Sequence, residues 1–450
     1  MIDTIFREYD IRGIAGTEIT EDDVELIGRG IGTFLSRQGC RRLTVGRDCR
    51  LTGGVFSERL IAGLTASGCH VTDIGVCPTP VLYFSIHHLD QEGGVMLTAS
   101  HNPPQYNGFK ICKNLDSVHG KQIAEIREMI KKRDFMTGDG SRNIADVIPS
   151  YLQYITDRIR IDRPLKVGID AGNGTAGVVA VPLLEQLNCE VHDIYCDMDG
   201  RFPNHEADPT VLKNLGDLIA LVCEKKLDLG IGYDGDGDRI GVVDETGRVI
   251  YGDQLMIIFS REILSRKPGA VFISEVKCSQ TMYDDIKKHG GNPIMWKTGH
   301  SLIKEKMKIE KAELAGEMSG HMFFADRYLG YDDAVYATCR LLEILASGDI
   351  PLSGYLKDVP QTFNTPEIRV DCPDDQKFEL VARVTDAFRK THDVIDIDGA
   401  RILFADGWGL VRASNTQPAL VLRFEALTQD RLTEIQALVE SELERIKTGL

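Results

Sequence analysis

Leu227-Asp-Leu-Gly-Ile-Gly-Tyr-Asp-Gly-Asp-Gly-Asp-Arg239 sets a short apolar run, Leu227–Gly232, directly before three carboxylates at alternate positions. The run has the length and β-branched character of a buried strand, and the acidic stretch reads as the loop at its end. Upstream lie strand Leu165–Ile169, helix Val178–Leu187, strand Glu190–Tyr195 and helix Lys213–Glu224. The same order occurs twice more. Strands Leu43–Val45, Val71–Val76 and Gly94–Leu97 go with helices Asp22–Leu35, Val55–Ser67 and Gln122–Lys132. Strands Ala270–Ser274, Pro293–Met295 and Ala312–Ala315 go with helices Gln280–Lys288 and Ser301–Lys308. Alternation of this kind predicts largely parallel α/β sheets with helices on both faces. In each unit the last strand runs into a polar loop, at 98–107, 234–239 and 317–321, the end of an α/β sheet where ligands collect.

After about Pro360 the pattern changes. Strands Pro366–Val370, Arg401–Phe404, Gly409–Val411 and Ala419–Glu425 cluster, with helices Gln376–Lys390 and Asp430–Ile446, which suggests an α+β domain. The expected division is three related mixed-sheet α/β domains, 1–147, 148–250 and 251–360, and a smaller α+β domain, 361–450, around a central cleft.

Composition agrees with a large folded chain. Of 450 residues, 42% are hydrophobic and 27% charged, which excludes a disordered or fibrous protein. Lys plus Arg is 52 and Asp plus Glu is 68, a net charge of −16, so no general attraction to nucleic acid or anionic membrane is expected. No apolar stretch reaches the ~18 residues of a membrane span, and the N-terminus lacks a signal-peptide pattern. Eleven cysteines without a Cys-x-x-Cys pair read as free thiols in a reducing cytoplasm.

Asp234, Asp236 and Asp238 offer hard oxygens to one side of an extended segment, and the intervening glycines let the backbone curl around Mg²⁺, Ca²⁺ or Mn²⁺. An EF-hand reading, with Glu245 as its twelfth residue, fails because Arg239 stands where that loop needs glycine. In Thr98-Ala-Ser-His-Asn-Pro-Pro-Gln-Tyr-Asn-Gly-Phe-Lys110, the prolines force an irregular loop, and Ser100 beside His101 is a candidate nucleophile or an ordinary turn serine. A metal loop elsewhere in the chain favours a metal-bound serine or phosphoserine. Gly172-Asn-Gly-Thr-Ala-Gly177 matches a dinucleotide fingerprint, but a tight strand–helix turn accounts for the same glycines, and Asp170 would oppose a pyrophosphate. Gly316-Glu-Met-Ser-Gly-His321 suits sugar hydroxyls, and Arg412-Ala-Ser-Asn-Thr416 with Arg423 suits a phosphate. Each of these last two segments also reads as an ordinary polar connection.

Taken in order, these segments and Phe6-Arg-Glu-Tyr-Asp-Ile-Arg-Gly13 resemble the α-D-phosphohexomutase superfamily, and within it the bacterial phosphomannomutase/phosphoglucomutases, over essentially the whole chain. The resemblance implies reversible interconversion of hexose 1-phosphate and hexose 6-phosphate through a phosphoserine at Ser100 and a hexose 1,6-bisphosphate that also serves as activator. It implies Mg²⁺ on Asp234, Asp236 and Asp238, with an oxygen of phospho-Ser100 completing the set. Arg239 matches the arginine beside the metal. Glu317 and Ser319 match the contacts to sugar hydroxyls. Arg412, Ser414, Asn415, Thr416 and Arg423 match the distal-phosphate group. Arg7, Tyr9, Arg12, His101, Lys277 and His321 match further cleft residues, and Lys110 and His300 the proton-transfer pair. Met318 and the Ser414-Asn-Thr416 turn point to mannose and glucose, whereas glucosamine mutases carry Gln and Ser-Gly-Thr there. The basic residues are expected to converge on the phosphosugar. The resemblance is to enzymes with no nucleic-acid or membrane partner, and a monomer or weak dimer is expected. The alternatives are a phosphoglucosamine mutase, a nicotinamide-dependent oxidoreductase and a non-catalytic cation-binding module.

Overall fold

The computed structural model describes residues 3–415 and 417–448. Four sheets carry the chain. In the first, Gly93–Leu97, Arg42–Arg47, His70–Val76 and Ser141–Ile144 run parallel. In the second, Leu229–Tyr233, Lys166–Asp170 and Glu190–Ile194 are parallel. In the third, Leu314–Gly316, Val271–Glu275 and Asn292–Trp296 are parallel.

Each sheet then adds a return strand that the sequence reading left unassigned. Tyr106–Lys113 pairs antiparallel with Gly93–Leu97, Ile240–Asp244 with Leu229–Tyr233, and Met322–Phe324 with Leu314–Gly316. The sheets are therefore mixed, and each polar loop is the tip of an antiparallel pair. A tip held by two strands places its side chains more firmly than a strand–helix connection does, because both ends are fixed by ladder hydrogen bonds.

Four helices beyond those expected complete the layers: Thr79–His88, Ile148–Thr156, Gly252–Arg266 and Ala334–Ser347. Thr79–His88 is buried from Thr79 through Ile86, and Ala334–Ser347 is buried along most of its length. One apolar core runs from Thr79–His88 of the first domain through the second and into the third. The fourth sheet is antiparallel, with Ala419–Ala426 and Gly407–Ala413 at its centre. Helices Lys377–Phe388 and Gln429–Lys447 share its core. All eight residues of Ala419–Ala426 are buried. A small apolar cluster, Val276, Trp408 and Leu410, joins this sheet to the third domain.

All eleven cysteines are free thiols, and eight are buried. Among the described residues, no helix is long and apolar enough to cross a membrane.

Candidate active site

The tips of the first two domains meet at Ser100. Its backbone is left-handed at φ 49°, and its amide donates to Thr98 Oγ1 at 2.8 Å. The hydroxyl, 3% exposed as a residue, donates to Asp234 Oδ2 at 2.6 Å and lies 3.1 Å from His101 Nδ1. Gly235 is required here, because a Cβ at that position would stand 2.5 Å from the Ser100 carbonyl oxygen.

The acidic loop is a turn and not the extended segment that alternate spacing suggests. Gly237 takes φ 73°, and Asp234 Oδ1 closes the turn by accepting the amides of Asp238 at 3.0 Å and Arg239 at 3.1 Å. The carboxylates converge all the same: one oxygen of each of Asp234, Asp236 and Asp238 lies within 4.8 Å of the others, and all three residues are fully buried. Burial and the two neighbouring carboxylates push the Asp234 carboxyl well above its ordinary range. Burial also works against charge on Asp236, but the Lys110 ammonium outweighs it and holds that carboxyl low. Lys110 Nζ donates to Asp236 Oδ2 at 2.6 Å and to Asp238 Oδ2, while Oδ1 of each has no partner. Unpartnered buried oxygens on carboxylates this close together are what a hard dication needs, so the residues present fit Mg²⁺.

Thr79, at the first turn of helix Thr79–His88, fixes Asp236 twice: its amide donates to the Asp236 carbonyl at 2.8 Å and its hydroxyl to Oδ2 at 2.6 Å. Nothing in Pro78-Thr-Pro80 signals that role beyond a helix start with proline in its first turn.

The third domain supplies a chain of contacts. Arg239 Nε donates to His321 Nε2 at 3.0 Å, so the neutral imidazole carries its proton on Nδ1, which lies 3.1 Å from Asp332 Oδ2. His300 stacks on His321 with centroids 5.5 Å apart, and its Nδ1 is 3.7 Å from Asp332. Burial drives the His300 imidazole well below its ordinary value, which keeps it neutral. Asp332 is missing from the sequence reading, since Asp332-Asp333 has no motif around it and reads as part of an ordinary polar turn.

Glu317 is buried and accepts the Gly299 amide at 2.7 Å; burial raises its carboxyl, opposed in part by His321. Ser319 Oγ reaches Glu317 at 3.5 Å. Lys277 Nζ lies 3.3 Å from Glu367 and 3.6 Å from Glu275. Arg412 donates to Asp398 from Nε at 3.1 Å and approaches it from Nη2 at 3.0 Å. Arg12 donates to Asp10 and, at 2.7 Å, to Asn102. Arg12, Lys110, Lys277 and Arg412 each rest on carboxylates, so their charge is balanced before an anion arrives.

Tyr9 joins three domains. Its hydroxyl donates to the Thr298 carbonyl at 3.0 Å and accepts from Asn415 Nδ2 at 2.8 Å. Ser414 Oγ accepts the Gln417 amide at 3.1 Å. Arg7 is exposed and, with Asn415, Arg127 and Lys377, lines a cavity of about 320 Å³ between the first and fourth domains. Thr416 lies outside the described residues. Arg423 is 2% exposed and donates from Nη1 to the Lys277 carbonyl at 2.6 Å, while its buried Nε has no hydrogen-bond partner.

The dinucleotide-like turn is filled by this chain itself. A Cβ on Gly172 would meet Ala207, on Gly174 the backbone of Gly235, and on Gly177 the backbone of Cys196. Asp170 lies 3.0 Å from His205. Glu245, twelfth residue of the rejected EF-hand, accepts the Ser353 amide at 3.2 Å and plays no part at the triad.

Four domain families match in chain order: phosphoglucomutase/phosphomannomutase α/β/α domain I over residues 3–137, domain II over 149–247, domain III over 251–363 and the C-terminal domain over 367–442. The chain belongs to the phosphoglucomutase/phosphomannomutase family. A phosphomannomutase/phosphoglucomutase of Pseudomonas aeruginosa is 46% identical over 99% of this chain and 97% of its own length. A phosphoglucomutase of Neisseria meningitidis is 44% identical, with 97% of both chains covered. The crystal structure of a phosphoglucomutase/phosphomannomutase family protein from Burkholderia thailandensis superposes with a TM-score of 0.94 at 41% identity, covering 100% of this chain and 99% of that one. As a bacterial-type member of the α-D-phosphohexomutase superfamily, the chain is a hexose phosphate mutase.

Proposed function

We propose that the chain interconverts the 1-phosphates and 6-phosphates of mannose and glucose, with Ser100 as carrier of the phosphoryl group. The observation that carries this reading is the 2.6 Å contact between Ser100 Oγ and Asp234, which sets a buried hydroxyl against a carboxylate triad suited to a dication.

Phospho-Ser100 gives its phosphoryl group to the free hydroxyl of a hexose monophosphate. The P–Oγ bond breaks, a P–O bond to the sugar forms, and the sugar hydroxyl's proton passes to a basic side chain. The hexose 1,6-bisphosphate turns in the cleft and returns its other phosphoryl group to Ser100. Mg²⁺ on Asp234, Asp236 and Asp238 supplies charge neutralisation at the group in transfer. Arg239, held by His321, adds a second positive charge beside it. Burial works against the Lys110 ammonium, but Asp236 and Asp238 outweigh it and keep the amine protonated. Neutral His300 is the better proton acceptor of the pair in this state.

Glu317 and Ser319 take sugar hydroxyls other than that at C2, and Arg412, Ser414, Asn415 and Thr416 hold the phosphate that is not being transferred. Met318 between Glu317 and Ser319 favours mannose and glucose over glucosamine, and the names of the Pseudomonas and Neisseria relatives agree with that choice. Hexose 1,6-bisphosphate serves as the activator that restores phospho-Ser100. The free thiols suit a cytoplasmic enzyme, and a cleft assembled from one chain suits a monomer or weak dimer. The test is a coupled assay with mannose 1-phosphate, glucose 1-phosphate and glucosamine 1-phosphate, with and without a hexose 1,6-bisphosphate. Turnover of the first two, stimulated by the bisphosphate, is expected; preference for the glucosamine substrate would contradict the specificity.

A further inference from the structure

Arg50 follows strand Arg42–Arg47 and its side chain is fully buried. A guanidinium has five N–H donors in a rigid plane, and every one is used. Nε donates to Asp48 Oδ2 at 3.0 Å. Nη1 donates to the carbonyls of Pro103 at 2.6 Å and Tyr106 at 2.9 Å. Nη2 donates to the carbonyls of Ser100 at 2.8 Å and Asn102 at 2.6 Å. Four of the five bonds thus end on the loop that carries Ser100.

The carbonyls of Ser100, Asn102 and Pro103 belong to an irregular segment with few ladder donors of its own, and that of Tyr106 opens the strand Tyr106–Lys113, so the guanidinium ties the loop to its return strand. The second domain closes over the arginine. The Phe202 ring lies 5.2 Å from the guanidinium carbon, and a Cβ on Gly200 would stand 2.8 Å from the Arg50 Cα. Asp48 aligns the group from behind, accepting the Arg50 amide at 3.0 Å as well as Nε.

We infer that Arg50 is a positioning residue for phosphoryl transfer: its planar fork fixes the left-handed Ser100 backbone, and so the place of Ser100 Oγ against Asp234. The inference rests on the reading that Ser100 carries the phosphoryl group. The hydrogen bonds of the Arg50 side chain all go to backbone carbonyls of the loop and to Asp48. A lysine is a point charge and cannot span four carbonyls, so it keeps the charge and loses the clamp.

The experiment uses full-length, dephosphorylated protein mixed with a hexose 1,6-bisphosphate. In the measured step the Ser100 hydroxyl attacks a bisphosphate phosphorus, the P–O bond to the sugar breaks, and the proton ends on the released sugar oxygen. The rate is read as phosphate on the Ser100 peptide by mass analysis. Wild type, Arg50→Lys and Asp48→Asn are compared, and Mg²⁺ binding to each is measured by calorimetry. Arg50→Lys is expected to slow phosphorylation at least about tenfold, the size of one lost charge-assisted hydrogen bond, with Mg²⁺ affinity unchanged. Asp48→Asn is expected to show the same pattern to a smaller extent, and it decides the matter if Arg50→Lys does not fold. Wild-type phosphorylation rates in the folded variants would overturn the inference, as would a parallel loss of Mg²⁺ binding, which marks a residue of general stability. If wild-type Ser100 takes no phosphate, the carrier reading itself fails, and the two failures are told apart by that control.

Discussion

The ammonium of Lys110 lies 2.6 Å from Asp236 Oδ2 and also donates to Asp238, so one cation already sits on two of the three carboxylates suited to Mg²⁺. Lysine and metal therefore compete for the charge of the same carboxylates, the ammonium from Oδ2 and the metal with the unpartnered Oδ1 of each left to it. Replacing it separates its two effects. Lys110→Met should bind Mg²⁺ about tenfold more tightly, since a charge-assisted hydrogen bond worth roughly 1.5–3 kcal/mol no longer opposes the metal. Its kcat should fall by about two orders of magnitude, because a buried positive charge is then missing from the cleft. Calorimetric Mg²⁺ titration beside a steady-state assay checks both; weaker metal binding would contradict the competition.

The junction of the first two domains gives a steric prediction. Gly235→Ala puts a methyl group 2.5 Å from the Ser100 carbonyl, and neither backbone can yield without parting Ser100 from Asp234. A cost of about 1–3 kcal/mol is expected, with activity falling more than the stability loss accounts for. Gly216→Ala is the matched control. Its Cβ meets nothing within 4 Å and its φ of −57° suits alanine, so a gain of about 0.4–1 kcal/mol is expected with activity kept. Chemical denaturation and turnover of both variants decide it.

Much of this site was legible in the sequence. The strand before each loop and the acidic triplet were readable as contiguous runs whose residue types are dictated locally, whereas Ser100 and the Glu317–His321 loop read equally as ordinary turns and took their roles from the resemblance of the whole ordered set. Residues that act from a distance were not readable. Arg50, Thr79 and Asp332 reach the site through tertiary contacts and sit in segments with ordinary local readings. Helix Thr79–His88 escaped for a related reason: neighbours cover it on nearly every side, so it has no polar face and no amphipathic period to read.

Asp332 Oδ2 lies 3.1 Å from His321 Nδ1, a carboxylate placed to favour the tautomer whose Nε2 accepts from Arg239. Asp332→Asn offers an amide donor to that imidazole, favours the proton on Nε2, and sets it against the Arg239 N–H. A kcat loss of about ten- to a hundredfold is expected from one mispaired buried charge, with KM for the phosphosugar little changed. Histidine ¹⁵N spectra of the Mg²⁺-loaded protein should show the His321 proton on Nδ1 in wild type and on Nε2 in the variant. An unchanged tautomer with full activity would remove Asp332 from the account.

Sugar recognition is tested at Glu317. Mannose and glucose differ only at C2, and contacts to other hydroxyls serve both. Glu317→Gln should lower kcat/KM for mannose 1-phosphate and glucose 1-phosphate by similar factors, about tenfold or more for a hydrogen bond to a charged group. Collapse of one activity with survival of the other would place Glu317 at C2.

The central claim is that Ser100 carries the phosphoryl group under turnover. The most direct measurement incubates the Mg²⁺-loaded enzyme with a hexose 1,6-bisphosphate, removes the excess, and maps phosphate by peptide mass analysis before and after a brief chase with mannose 1-phosphate. The account predicts one phosphoryl group on Ser100 before the chase, with label from that group recovered in the sugar bisphosphate or hexose 6-phosphate after it. Phosphate on another residue, or full turnover by Ser100→Ala, would contradict it.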